Sequence, residues 1–232
     1  MRTRFEKSPR DFLFTVPGVY PLNKPAGQTS HDMVHNARKI LGISKVGHAG
    51  TLDPMATGLL ILMLGKATRL FDSFRLYSKT YTAGVKLGLR TDTLDRTGTV
   101  LEKNDIPKIP VAELNQLLPE FKGEILQVPP MYSAIKKNGQ PLHKLARKGI
   151  TVKRKSRKVT VYNLNHTITA EVLPKEFTLH MEVSSGFYVR KLIEDIGDKL
   201  GCGAIMTELI RDAIGPFTLK DASDLSKETL LK

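Results

Sequence analysis

The chain has 232 residues, 36 Lys or Arg against 23 Asp or Glu, and a formal net charge of +13. It holds no run of about 18 apolar residues, which argues against a membrane-spanning helix, and its N-terminus has no apolar signal core. Cys202 is the only cysteine, which excludes an internal disulfide and a cysteine-rich zinc site and fits a reducing, cytoplasmic setting. The basic surplus points to a polyanionic partner, nucleic acid first and an anionic membrane surface second.

Residues 1–16 are polar and basic and are expected to form a loosely held arm. Val19-Tyr20-Pro21-Leu22 reads as a short strand running into the turn Lys24-Pro25-Ala26-Gly27. Thr29 or Ser30 then offers a hydroxyl N-cap. Met33, Ala37, Ile40 and Leu41 recur at helical spacing, and Gly42 is a C-terminal stop. A glycine-bearing loop comes next, Gly47-His48-Ala49-Gly50-Thr51-Leu52-Asp53-Pro54. The run Gly58–Leu64 is short enough for a buried strand, and Lys66–Leu76 is expected to be helical. Lys79–Leu89 alternates as a strand, with Tyr81, Ala83, Val85 and Leu87 on one face. Arg90–Gly98 suggests a hairpin or a long loop. Val111, Leu114, Leu117 and Leu118 mark a helix that Pro119 should end. Pro129-Pro130 opens an extended segment, and Val159–Tyr162 and Phe177–Val183 look like strands. Val189, Leu192, Ile193, Ile196 and Leu200 describe an amphipathic helix stopped by Gly201, while Ile205–Ile214 is ambiguous. Without a regular βαβ rhythm the pattern favours α+β with a mostly antiparallel mixed sheet flanked by helices and loops. No linker separates two autonomous domains.

From Lys136 to Lys158 there are ten Lys or Arg residues and no Asp or Glu. Such a run is either a solvated loop or a phosphate-contacting surface with strong salt dependence. Tyr132 and His143 lie in or beside it and could stack on bases. Phosphate-loop and dinucleotide-binding glycine patterns are missing, and the histidines are unaccompanied by cysteine, so neither a nucleotide cofactor nor a metal is expected. Locally, Asp53-Pro54 reads either as a helix start, with Asp53 as N-cap and Pro54 at the first helical position, or as part of a shaped loop presenting His48 and Asp53.

Taken together these segments resemble the TruB family of bacterial tRNA pseudouridine-55 synthases. The resemblance rests on Lys24-Pro25-Ala26-Gly27-Gln28-Thr29-Ser30, on Gly47–Pro54 continued by Ala56-Thr57-Gly58, and on Lys79-Thr80-Tyr81. It extends through Arg90-Thr91-Asp92-Thr93-Leu94-Asp95, Pro129-Pro130-Met131-Tyr132-Ser133-Ala134 with Ala146-Arg147, and Gly186-Phe187-Tyr188-Val189-Arg190. The motifs stand in the family's order over about residues 17–217. Two positions depart from the pattern. His143 stands where the family often has Tyr, and Leu209-Ile210-Arg211-Asp212 replaces a common Leu-Arg-Arg-Thr, losing a cation and gaining an acid. The chain stops too soon after Phe217 for the C-terminal PUA domain of many members, so residues 17–232 are expected to form one pseudouridine synthase catalytic domain.

The resemblance implies isomerisation of uridine to pseudouridine at U55 of the tRNA T-loop, by base flipping and without cofactor or metal. It implies that Asp53 is the catalytic carboxylate, that Arg190 pairs with it and keeps it ionised, and that Tyr81 stacks on the uracil. It further implies substrate contacts from His48, Lys24, Leu209, Tyr188, Gly50 and Thr51. His48 would take the place of the flipped base, Lys24 would support the loop, and Leu209 would line the pocket. The RNA backbone would lie on Lys136, Lys137, Lys144, Arg147, Lys148, Lys153 and Arg154. The partner is the T-arm of tRNA; a monomer away from membranes is expected. A non-catalytic RNA-binding module and a base-excising glycosidase are the rival readings.

Overall fold

The computed structural model describes residues 18–226, so the expected basic arm lies outside the described residues. In chain order the elements are β1 (Val19–Lys24), α1 (Ser30–Leu41), β2 (Val46–Ala49), β3 (Thr57–Leu64), a 3-10 turn (Gly65–Leu70), α2 (Phe71–Leu76), β4 (Lys79–Leu87), β5 (Leu89–Thr91) and β6 (Val100–Lys103). Then come α3 (Val111–Leu117), a second 3-10 turn (Leu118–Phe121), β7 (Gly123–Gln127), β8 (Lys136–Lys137), β9 (Gln140–Pro141) and α4 (Leu142–Ala146). The rest is β10 (Arg157–His166), β11 (Glu176–Val183), α5 (Val189–Lys199), β12 (Ala204–Ile214), β13 (Phe217–Thr218) and a 3-10 turn at Leu219–Asp221. The class is α+β, with a mixed, mostly antiparallel sheet and flanking helices. Among the described residues no helix is long and apolar enough to cross a membrane.

Among the described residues packing makes two compact units, one of residues up to 82 together with those from 209 on, the other of residues 83–208. The divisions fall inside β4 and β12, where no change of composition marks them, which is why the sequence shows no linker.

In the first unit β3 is the organising strand. β1 pairs along one edge, from Val19↔Met63 to Lys24↔Gly58. β2 pairs antiparallel with its C-terminal half, and β12 lies parallel to its first residues at Ile210↔Thr57 and Arg211↔Gly58. Leu59, Ile61 and Met63 pack with Val19, Phe74, Ile214 and Phe217. Leu60, Leu62 and Leu64 pack with Leu22, Met33, Val34 and Ala37. Period-2 alternation therefore feeds two separate cores, so the strand must be apolar at every position. Thr29 caps α1: its side chain accepts from Asp32 N at 3.0 Å, and Asp32 Oδ2 accepts from Thr29 N at 2.8 Å. Gly42 ends it in a left-handed conformation. The helix expected over Lys66–Leu76 starts instead as the 3-10 turn and becomes α2 only at Phe71.

In the second unit β10 pairs antiparallel with β7 and β11, and β5 and β6 form a hairpin across the Arg90–Gly98 turn. β8 and β9 form a two-residue hairpin at Asn138-Gly139, both with positive φ, the backbone that such turns require. α3 passes at Leu118 into its 3-10 turn, in which Pro119 occupies the first turn. The ambiguous segment Ile205–Ile214 is the strand β12.

Candidate active site

Asp53 sits in the connection between β2 and β3. Ala56 N donates to Asp53 O at 3.0 Å, and β3 begins at Thr57, so no helix starts at Asp53. The helix-start reading fails because antiparallel pairing of β2 with β3 requires the chain to reverse between them. Pro54 and Met55 form a turn instead.

The loop is held from several directions. Lys24, fully buried at the end of β1, donates from Nζ to Pro25 O at 2.8 Å, Gln28 O at 2.6 Å and Pro54 O at 3.3 Å. Gly27 N donates to Pro54 O at 2.8 Å. Ser30 Oγ, in the first turn of α1, accepts from Leu52 N at 2.9 Å. Arg211 on β12 reaches Gly50 O from Nη2 at 3.1 Å and Leu59 O from Nε at 2.7 Å. Gly50 adopts φ +89°, the left-handed region open to glycine; Gly47 lies within β2 with no such demand. Asp53, half-buried, lies in the chain between these fixed points.

The charges around the loop are tuned by burial. Burial brings the Lys24 ammonium down to about 8, with the Asp53 carboxylate acting in the opposite direction. His48, on β2, is held below the usual imidazole range by burial and by the charge of Arg211, which favours the neutral ring. Lys79 at the start of β4 is likewise brought down to about 8 by burial, with Arg211 and Arg75 adding to the effect. Its Nζ donates to the carbonyls of Arg75 and Tyr77, closing the C-terminal end of α2. Tyr81 stands two residues further on, half-buried. Asp212, the acid that departs from the family pattern, accepts from Thr82 Oγ1 at 2.8 Å and so ties β12 to β4. Leu209 is buried on β12, and Thr51 is exposed at the loop tip.

Arg190 is built into the second unit. It is buried in the first turn of α5. Its Nη1 donates to Thr93 O and its Nη2 to Tyr132 O, each at 2.8 Å. Asp95 lies 3.6 Å from Nη1. The other Asp95 oxygen accepts from Thr93 Oγ1 at 2.7 Å, Thr97 N at 2.9 Å and Thr97 Oγ1 at 2.6 Å. The carboxylate is thus itself fixed before it meets the guanidinium. Gln127, 2% exposed, accepts from Tyr188 N at 2.9 Å and donates to Tyr188 O at 3.1 Å, which sets the start of α5. Sequence reasoning marked the Arg90–Asp95 motif but gave Asp95 no role, offered Ser30 only as a possible N-cap, and overlooked Gln127. Their work is to bond groups far away in sequence, which only the folded chain displays.

Of the basic segment, Lys136, Lys137, Lys144, Arg147, Lys148 and Lys153 are exposed and Arg154 is partly covered. Lys137 Nζ donates to Lys153 O at 3.0 Å, and Lys158 pairs with Glu124 at 2.7 Å. Tyr132 is turned to Asp92, its hydroxyl donating to Oδ2 at 3.0 Å, which raises the phenol above its usual pKa. His143 is held through Nδ1 by Ser133 O at 3.1 Å.

Known proteins resemble this chain over most of its length. The family model of the TruB family pseudouridylate synthase N-terminal domain matches residues 38–189. The tRNA pseudouridylate synthase B C-terminal domain matches residues 190–231. The chain is 47% identical over 210 residues to tRNA pseudouridine synthase B of Geotalea uraniireducens, covering 90% of this chain and 67% of that protein. It is 43% identical over 210 residues to the protein of the same name from Endomicrobium trichonymphae, covering 89% of each. Among solved structures, a Cbf5-Nop10-Gar1 complex contains a chain of 33% identity and TM-score 0.67, matched over 92% of this chain and 53% of that one. An archaeal box H/ACA Nop10-Cbf5 complex gives 28% identity and TM-score 0.65, over 97% of this chain and 55% of that one. This chain therefore spans about half the length of those solved chains. With family models covering most of its length and a glycine-shaped loop fixed around Asp53, the chain belongs to the TruB family of pseudouridylate synthases.

Proposed function

We propose that this chain isomerises uridine to pseudouridine in tRNA, at U55 of the T-loop, with Asp53 as the reacting carboxylate. The observation that carries the reading is the loop itself: a half-buried carboxylate on a turn whose backbone is held on both sides by buried cations. Isomerisation breaks the C1′–N1 bond of uridine and joins C1′ to C5. Substrate and product have the same atoms, so the reaction calls for no net oxidant or energy source. It needs a carboxylate beside sugar and base, a platform for the detached uracil, and a route for the C5 proton.

Asp53 supplies the first and Tyr81 the second, with Leu209 lining the pocket. Arg190 is assigned the cationic role by the motif that carries it. A base stacked within a folded T-loop must be extruded before it can react. His48, kept neutral, replaces it in the stack, and the loop tip at Gly50 and Thr51 together with Tyr188 meets the flipped nucleotide. The exposed cations from Lys136 to Arg154 contact RNA phosphates. Residues 17–232 act as one catalytic domain, and as a monomer.

A tritium-release assay tests this, using unmodified tRNA transcripts labelled at uracil C5. Wild type should release one label per tRNA. Asp53→Asn should bind tRNA as before and release label slower by about a thousandfold or more, and a transcript with U55 replaced should release none. Turnover persisting in Asp53→Asn would remove the carboxylate role, and free uracil in the products would favour a glycosidase.

A further inference from the structure

Arg211 is the largest of the fully buried side chains, 1% exposed. It lies on a strand whose neighbouring buried positions are apolar, Leu209 and Ile214 among them. Among the described residues it forms no ion pair with a carboxylate. A buried cation in such a place is costly unless its donors are satisfied, and an apolar side chain would fill the space at lower cost. The satisfaction it finds is specific: Nε donates to Leu59 O at 2.7 Å and Nη2 to Gly50 O at 3.1 Å. One acceptor belongs to the rigid strand β3, the other to the loop that carries Asp53.

The surrounding backbone is fitted to this arrangement. At Gly58, with φ +101°, an added Cβ would stand 2.5 Å from Arg211 O. Only glycine lets the backbone of β12 approach the start of β3 so closely. A Cβ at Gly50 would stand 3.4 Å from Arg211 Nη1. The two glycines that flank Asp53 thus both adjoin Arg211, one at its guanidinium and one at its backbone. The charge of Arg211 also reaches Lys24, His48 and Lys79, lowering the pKa of each.

We infer that Arg211 is a positioning residue for the catalytic loop, bridging Leu59 O to Gly50 O so that the turn from Gly50 to Ala56 holds the Asp53 carboxylate in its reactive place. The catalytic part of this inference rests on Asp53 being the reacting group. The residue acts through the loop and touches no substrate, so its loss should lower turnover and leave tRNA affinity intact.

The test compares wild type with Arg211→Met and Arg211→Lys. Met keeps much of the stem and removes both bonds; Lys keeps the charge and a single donor group. At saturating tRNA, kcat should fall about 100-fold in the Met variant and less in the Lys variant, with KM within about twofold of wild type. Amide hydrogen exchange of residues 49–56, measured without tRNA, should speed up in the Met variant while β10 and β11 stay unchanged. A folded Met variant with wild-type kcat, one that loses affinity while keeping kcat, or one with unchanged loop exchange would overturn the proposal. If the Met variant does not fold, the Lys variant decides: reduced kcat at wild-type KM supports the role, and wild-type kcat refutes it. The exchange measurement needs no turnover. A wild-type chain that released no tritium would therefore defeat the reading of Asp53 while loop exchange still judged Arg211.

Discussion

The cations around the Asp53 loop and those between Lys136 and Lys158 share a chemistry and differ in everything else. Lys24 and Arg211 are no more than 1% exposed, and each spends its N–H groups on main-chain carbonyls. The cations at Lys136, Lys144, Arg147 and Lys148 stand in water. A buried cation bonded to carbonyls fixes backbone, because releasing it leaves both charge and acceptors unsatisfied. An exposed one contributes little to stability and remains available to a polyanion. Charge thus fixes the loop in one region and stays available to a polyanion in the other.

The buried Arg190–Asp95 pair extends the comparison into the second unit and gives the largest expected effect on stability. Asp95→Ala removes a buried carboxylate beside the guanidinium and should destabilise the chain by about 3 kcal/mol, read as a lower midpoint in urea unfolding. Wild-type stability in that variant would show that Asp95 is not what holds Arg190 in place.

Neutralising exposed cations should do the reverse, changing binding and not folding. Lys136→Ala, Lys144→Ala and Lys148→Ala together should lower the salt dependence of tRNA binding by about 2 in the slope of log K against log salt. Affinity should drop by roughly tenfold at moderate salt, with kcat at saturation and the unfolding midpoint retained. An unchanged salt slope would make this segment a solvated loop after all.

The smallest effect expected is the one that pH exerts on Lys24. As an ammonium it has three donors for three carbonyl acceptors; above about 8 it loses one. Activity should therefore decline by a few-fold on an alkaline limb near pH 8, and Lys24→Met should lack that limb. Stability moves the other way. Between about 8 in the folded chain and 10.5 unfolded, the unfolded state binds more protons at this site, so its contribution to stability rises with pH. An alkaline limb that tracked unfolding would refute the assignment.

Sequence by itself determined the local elements whose signals are local. Thr29, Met33, Ala37 and Gly42 wrote α1, because caps and 3.6-residue spacing act within one helix. The run to Leu64 announced a buried strand, and the ordered motifs around Asp53, Tyr81 and Arg190 identified the family. Tertiary structure decided what depended on pairing at a distance. Asp53-Pro54 has a helix-start signature that antiparallel pairing of β2 and β3 overrides. Ile205–Ile214 becomes a strand in its sheet context, with β3 and β13 among its partners. Arg211, which in sequence stands in a segment that departs from the family pattern, acquires its place only when β12 lies beside Gly58 and within reach of Gly50. Patterns along the chain report which face is apolar; which carbonyl a buried cation will meet 161 residues away is settled by the fold alone.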